Sequence, residues 1–239
     1  MKTSKGLVEH CKMALSEQWG YVWGTYGDIL TPVILDDKMK QYPIGVGSYE
    51  QIIKTKWLWR RTSDCVGLIK SYMWWNFNQP VYDPNTDLSA NDMFKNATEK
   101  GAINDFPVFD IPGLCVWKDG HIGVYIGDGQ VIEAHGTAYG VLKTPLKGNG
   151  STPWTNWLKC PFISYDDLES IKELQTNLNK LGYGLEVDGI VGPITKNAII
   201  DFQTHNNILA DGAVSEILKQ AVSKMVTKLE GSKSKTYVQ

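Results

Sequence analysis

In the last third of the chain, apolar residues recur at helical spacing. Ile171, Leu174, Leu178 and Leu181 mark one helix, and Ala198, Ile199 and Phe202 mark a second. A third is predicted from about Glu216 to Val226. Pro193 and Thr195 open the second helix, where proline's missing N–H removes no hydrogen bond. Val187-Asp-Gly-Ile-Val-Gly192 matches Ala210-Asp-Gly-Ala-Val-Ser215 at an offset of 23 residues, and both copies read as an Asp-Gly turn ahead of a helix start. The pattern predicts a small three-helix bundle presenting two turns on one side. Residues 231–235, Gly-Ser-Lys-Ser-Lys, read as a frayed tail.

The earlier part of the chain mixes periods. Residues 7–20, opening Leu7-Val-Glu-His-Cys-Lys-Met-Ala-Leu15, predict a short amphipathic helix. Arg61-Thr-Ser-Asp-Cys65 leads into the helical apolar pattern Val66–Trp74, with Ser63 or Asp64 as the N-cap and Cys65 in the first turn. Two apolar runs flank Gly127-Asp128-Gly129, a hairpin signal. With Ile126 opposite Gln130, His121 falls on the same sheet face as Glu133 and His135.

Composition divides the chain where the periodicity does. All nine tryptophans precede residue 160. Residues 1–165 carry 16 basic and 16 acidic side chains, and residues 166–239 carry 8 and 10. This places a larger unit at 1–165, the bundle at 166–230 and a flexible tail at 231–239. A formal net charge of -2 argues against a protein held to nucleic acid by phosphate contacts. No run of 18 apolar residues exists, so no membrane span is expected. Cys11, Cys65, Cys115 and Cys160 lack the short spacings of a zinc site or a disulfide framework.

Candidate chemistry centres on Cys65. The first turn of a helix favours negative charge, so a lowered thiol pKa is expected there and the cysteine is suited to act as a nucleophile. His121 is the base candidate, and a side chain on its own sheet face could fix its tautomer and stabilise the imidazolium.

These residues resemble the NlpC-type cell-wall peptidases, a papain-like family of bacterial cysteine hydrolases. Tyr21-Val-Trp-Gly24 is similar to the family's tyrosine segment, Asp64-Cys65-Val-Gly-Leu68 to its nucleophile motif, and Gly120-His-Ile-Gly-Val-Tyr-Ile-Gly127 to its histidine strand. Pro112-Gly113-Leu114 with Val116-Trp117 resembles the turn and strand before it. The resemblance covers roughly residues 8–163. It implies an α+β papain-like domain with Cys65 as nucleophile, His121 as general base and then acid, and Tyr21 beside the nucleophile holding substrate or the oxyanion. The third polar residue falls twelve positions past the histidine, at Glu133, with His135 as the alternative. One departure is plain: Tyr21 and Cys65 are 44 positions apart, against about a dozen in the family. The intervening segment, around Ile29 to Trp59, reads as a long functional loop or lid.

Residues 168–226 resemble the three-helix peptidoglycan-binding domain attached to many wall-lytic enzymes. That likeness makes Tyr183, Asp188, Gly189, Gly192, Asp211 and Gly212 the candidate wall-binding residues, and peptidoglycan the expected partner. Together the two resemblances imply a peptidoglycan hydrolase that needs no metal or other cofactor. The favoured bond is γ-D-glutamyl to diamino acid. The alternatives are an N-acetylmuramoyl-L-alanine amidase and a non-catalytic wall-binding protein. Because the first residues hold no apolar core of signal-peptide length, a phage-type endolysin is expected, made in the host cytoplasm and acting at the wall after release. Oligomeric state is not read from these patterns.

Overall fold

The computed structural model describes residues 2–106, 111–212 and 214–235. It divides after Ser164 into two compact units. Among the described residues no helix is long and apolar enough to cross a membrane.

The first unit opens with α1 (Ser4–Ser16), capped by the Thr3 hydroxyl, which accepts from Gly6 N–H. It buries Leu7, Val8, Cys11 and Ala14 and stops short of Gln18, whose φ is 53°. The short strand β1 (Tyr26–Ile29) follows, then α2 (Pro32–Gln41) and α3 (Glu50–Lys56), then β2 (Arg61–Ser63), which pairs antiparallel with β1. The segment between Ile29 and Trp59 is therefore two helices rather than a loop. They have a core of their own, formed by Val22, Leu30, Leu35, Val46, Ile53 and Trp57. Spacing alone hid it because each helix turns only a few apolar residues inward.

Helix α4 (Cys65–Trp74) starts directly after β2, and the hairpin β3 (Trp75–Asn76) with β4 (Gln79–Pro80) follows. After α5 (Ala90–Asn96) come the strands of the main sheet: β5 (Lys100–Ala102), β6 (Cys115–Lys118), β7 (His121–Gly127), β8 (Gln130–Gly136), β9 (Gly140–Pro145) and β10 (Asn156–Leu158). The order is β5-β10-β6-β7-β8-β9, antiparallel throughout. Helices α1 and α4 pack on each other and on β7 and β8. The β7–β8 register places Val124 opposite Ile132 and Tyr125 opposite Val131. It differs from expectation only at the tip, where Gly127 rather than Ile126 meets Gln130. Ile122, Val124, Ile132 and Ala134 alternate with His121, Glu133 and His135, and all four apolar residues are fully buried.

The second unit consists of α6 (Asp166–Lys180), α7 (Pro193–His205) and α8 (Glu216–Lys235). Leu174 and Leu178 of α6, Ala198, Ile199 and Phe202 of α7, and Leu218 and Val222 of α8 form one core with Leu185. Helix α8 corrects the expected tail at 231–239, because it continues past Val226 through Gly231 to Lys235. A single glycine costs a helix about 1 kcal/mol relative to alanine, and no proline follows to stop it. Residues 236–239 lie outside the described residues.

Candidate functional site

Asp64 fixes the start of α4. Its Oδ1 accepts from Gly67 N–H at 2.6 Å, the N-cap bond, and its Oδ2 accepts from Gly24 N–H at 2.7 Å. Burial raises the pKa of this carboxyl, against those two backbone bonds. A side chain at Gly67 would collide with the Thr25 carbonyl oxygen, so only glycine lets the Tyr21–Thr25 segment lie this close to the helix start. That segment is held further by Gly20 N–H donating to Arg61 O and Asp64 N–H donating to Thr25 O. Tyr21 is thereby brought beside the first turn of α4 despite the chain separation. Its hydroxyl pKa is raised, first by burial and then by the charges of Cys65 and Asp64.

Cys65 lies in the first turn of α4 and is 8% exposed. Its Sγ lies 3.8 Å from Gly120 O and is reached by Ile122 N–H, so it touches the backbone on both sides of His121. The expected lowering of the thiol pKa is not found. Burial, and secondarily the Asp64 charge, pushes it up to about 12, against the N–H groups of Ile122, Val66 and Cys65 itself. The helix terminus is outweighed because the sulfur is out of water with a carboxylate as its neighbour in sequence. A thiolate forms here only if its proton passes to a nearby base that keeps the resulting positive charge close.

His121 is the residue between the two backbone groups that Sγ touches, Gly120 O and Ile122 N–H. Its Nε2–H donates to Glu133 Oε2 at 2.6 Å, which leaves Nδ1 as the ring nitrogen free to accept a proton. The ring is clamped by Trp154, stacked at 5.4 Å with planes 6° apart. A side chain at Gly123, on the same face, would press on Trp154 and Val131. The turn into β7 is pinned from α5, where Asn91 Oδ1 accepts from Gly120 N–H at 2.8 Å and from Trp117 Nε1–H at 3.2 Å.

Glu133 is fully buried and heavily bonded. Besides His121, its carboxylate accepts from Thr144 Oγ1 at 2.7 Å and Thr152 Oγ1 at 2.8 Å, and His135 Nδ1 lies 3.2 Å from Oε2. Burial alone would raise its pKa. The hydrogen bonds from His121, Thr144 and Thr152 and the His121 charge outweigh that and hold it down at about 2. Glu133 rather than His135 is therefore the side chain bonded to His121, and His135 lies against the same carboxylate oxygen and edge-on to the His121 ring. The sequence had no signal for Thr144, Thr152, Trp154 or Asn91, because each comes from a different segment and none belongs to a local motif. Trp57 and Trp74 are in the core and Trp59 is 67% exposed.

In the second unit the two Asp-Gly turns are built alike. Gln175 Nε2–H donates to Asp188 Oδ1 at 2.6 Å while Gln175 Oε1 accepts from Gly189 N–H at 2.8 Å. Gln203 repeats this on Asp211 and Gly212, both at 2.9 Å. Asp188 also accepts from Ile190 N–H at 2.7 Å, and Gly192 is the N-cap of α7. These predicted wall-binding residues are thus turn-forming residues, their polar groups engaged within the unit. Tyr183 stands apart from them, its hydroxyl donating to Asp201 Oδ2 at 2.9 Å. It lines an open cavity of about 320 Å³ with Leu181, Gly182, Asp201 and His205.

Residues 167–222 match the family model described as a putative peptidoglycan binding domain. No curated protein sequence matches the chain. Among solved structures, the P60 domain of an antigen from M. avium subspecies paratuberculosis is 23% identical, covering 68% of this chain and 98% of its own, with a TM-score of 0.36. The peptidoglycan hydrolase RipB from Mycobacterium tuberculosis is 21% identical, covering 68% of this chain and 67% of its own, with a TM-score of 0.35.

Proposed function

We propose that the chain is a peptidoglycan hydrolase whose first unit cleaves an amide bond of the stem peptide while its second unit holds the wall. The observation that carries this reading is the join of two features in one chain. Cys65 Sγ lies against the backbone on both sides of His121, the His121 ring is bonded to the Glu133 carboxylate, and a stretch matching a peptidoglycan-binding model follows.

In the proposed reaction His121 Nδ1 takes the Cys65 proton, and Glu133, a positioning residue, stabilises the imidazolium through Nε2–H. The thiolate attacks the scissile carbonyl carbon. In this reading the Cys65 backbone N–H and the Tyr21 hydroxyl donate to the oxygen as it gains negative charge. The imidazolium then protonates the leaving amine, the C–N bond breaks, and a thioester remains. Water deprotonated by the same histidine attacks that thioester, giving a carboxylic acid and the restored thiol. We assign the bond to γ-D-glutamyl–diamino acid on the motif resemblance.

Mass spectrometry of muropeptides released from purified walls tests the reading. A new free amine on the diamino acid is expected with the parent protein and none with Cys65→Ser, while both proteins sediment with the walls. New amino termini on L-alanine would move the assignment to the muramoyl amide. Equal release by Cys65→Ser would remove the thiol mechanism altogether.

A further inference from the structure

Three metal-binding atoms converge on the odd-numbered face of β7 and β8. One ligand atom from each of His121, Glu133 and His135 lies within 4.8 Å of the others, with His121 Nε2 and His135 Nδ1 both against Glu133 Oε2. In four-coordinate zinc, ligand atoms about 2.0–2.1 Å from the metal sit about 3.4 Å apart. The Glu133–His135 separation of 3.2 Å is already close to that, and the Glu133–His121 separation of 2.6 Å must open by less than an ångström. Thr144 and Thr152 hold the other carboxylate oxygen, the outer-shell support that orients a ligating carboxylate. Solvent reaches the cluster from the histidine side, where the His121 and His135 side chains are 14% and 37% exposed. Two imidazoles and one carboxylate suit a borderline cation such as zinc, whereas calcium and magnesium favour all-oxygen sets.

We propose that His121, Glu133 and His135 form an inhibitory zinc site, with water in the fourth position. Ligation needs the lone pair on His121 Nε2, so the proton that Nε2 now donates to Glu133 must leave it. In the metal-bound neutral imidazole the proton sits on Nδ1. That is the nitrogen which, in the mechanism above, must be bare to take the Cys65 proton. At His135 the metal takes Nδ1 and the proton sits on Nε2. Zinc therefore replaces the proton between His121 and Glu133, and it blocks the base without touching the sulfur. Inhibition rests on the proposed mechanism, whereas metal binding does not.

The experiment uses the full chain after chelator treatment. Zinc binding is titrated calorimetrically into Cys65→Ser, which removes the thiolate as a competing ligand. One zinc per chain is expected, with a dissociation constant in the micromolar range or tighter. Replacing His135 by alanine in the same background should weaken binding at least about tenfold, with an unchanged urea midpoint showing that the fold is intact. In the Cys65 protein, wall hydrolysis should fall over the same zinc range and return on adding chelator. Loss of zinc binding in Cys65→Ser would make the sulfur the ligand and overturn the site. Parent-like binding by the His135→Ala protein would also overturn it, as would activation of the chelated enzyme by zinc. A parent protein that releases no muropeptide even without zinc would sink the hydrolase reading, with the binding result still standing on its own.

Discussion

Replacing Glu133 by glutamine removes one charge and little volume, which isolates what the carboxylate contributes. Its pKa falls from 4.5 to about 2 in the folded chain. That drop corresponds to about 3 kcal/mol of stability, and full burial leaves little solvent screening to reduce it. Because the folded value lies below the unfolded one, the contribution is complete above pH 4.5 and is lost as the pH falls through about 2. The parent should therefore lose about 1.4 kcal/mol per pH unit more than Glu133→Gln across that window, the two converging near its lower end, where both side chains are neutral. Urea unfolding followed by tryptophan fluorescence is the assay. All nine tryptophans lie before residue 160, so the signal reports on the first unit alone. Burial raises the pKa of Asp28 and Asp64, which tilts the absolute curves the other way, but these residues are common to both proteins and cancel in the difference. If parent and variant lose stability in parallel between those pH values, the carboxylate is not held ionised by its neighbours. The positioning role of Glu133 then fails with it.

Three further outcomes follow from the same contacts. Gly67→Ala drives a methyl group into the Thr25 carbonyl, so a loss of about 2 kcal/mol and a Tm lower by roughly 5 °C are expected, whereas Gly47→Ala, which meets nothing within 4 Å, should leave Tm unchanged. Tyr21→Phe should lower kcat on a soluble stem peptide by about 10- to 100-fold with little change in KM, and a pure KM effect would make the hydroxyl a ground-state contact. Gln203→Leu removes both hydrogen bonds that clamp Asp211 and Gly212. Sedimentation with walls should weaken while soluble-peptide turnover stays at the parent level, and undiminished sedimentation would show that the turn is not needed for wall binding.

What was legible in the sequence is what short segments encode. Asp64-Cys65 at a helix start needs only a capping residue and an apolar helical pattern. His121 and Glu133 need only the hairpin, whose register follows from alternation and the Gly127–Gly129 turn. Thr144 and Thr152 could not be read this way. The first reaches Glu133 because β9 pairs with β8, and the second lies in the irregular stretch after β9, where no period exists to follow. The thiol pKa failed for a related reason, since a helix terminus is a local feature and burial is not. In the bundle, the Asp-Gly repeat was visible but its clamp was not. Gln175 lies 13 positions before Asp188 and Gln203 only 8 before Asp211, so the glutamines do not share the 23-residue offset of the turns.

The detour between Tyr21 and Cys65 shows why distance along the chain was a poor guide to this site. Lengthening a closed loop from about a dozen residues to 44 adds only about 1 kcal/mol of closure entropy. Burying each of Leu30, Leu35, Val46 and Ile53, all fully inaccessible, contributes about 1.5–3 kcal/mol. This is enough to offset the closure and a share of the cost of ordering the two helices. The ends are then tied where the detour begins and finishes, by Asp28 opposite Thr62 and Ile29 opposite Arg61. With the ends tied, the bond from Gly24 N–H to Asp64 is as local in space as it would be in a chain with no insertion. The tyrosine's position therefore depends on the β1–β2 pairing and the Asp64 cap, and not on how many residues separate it from the cysteine.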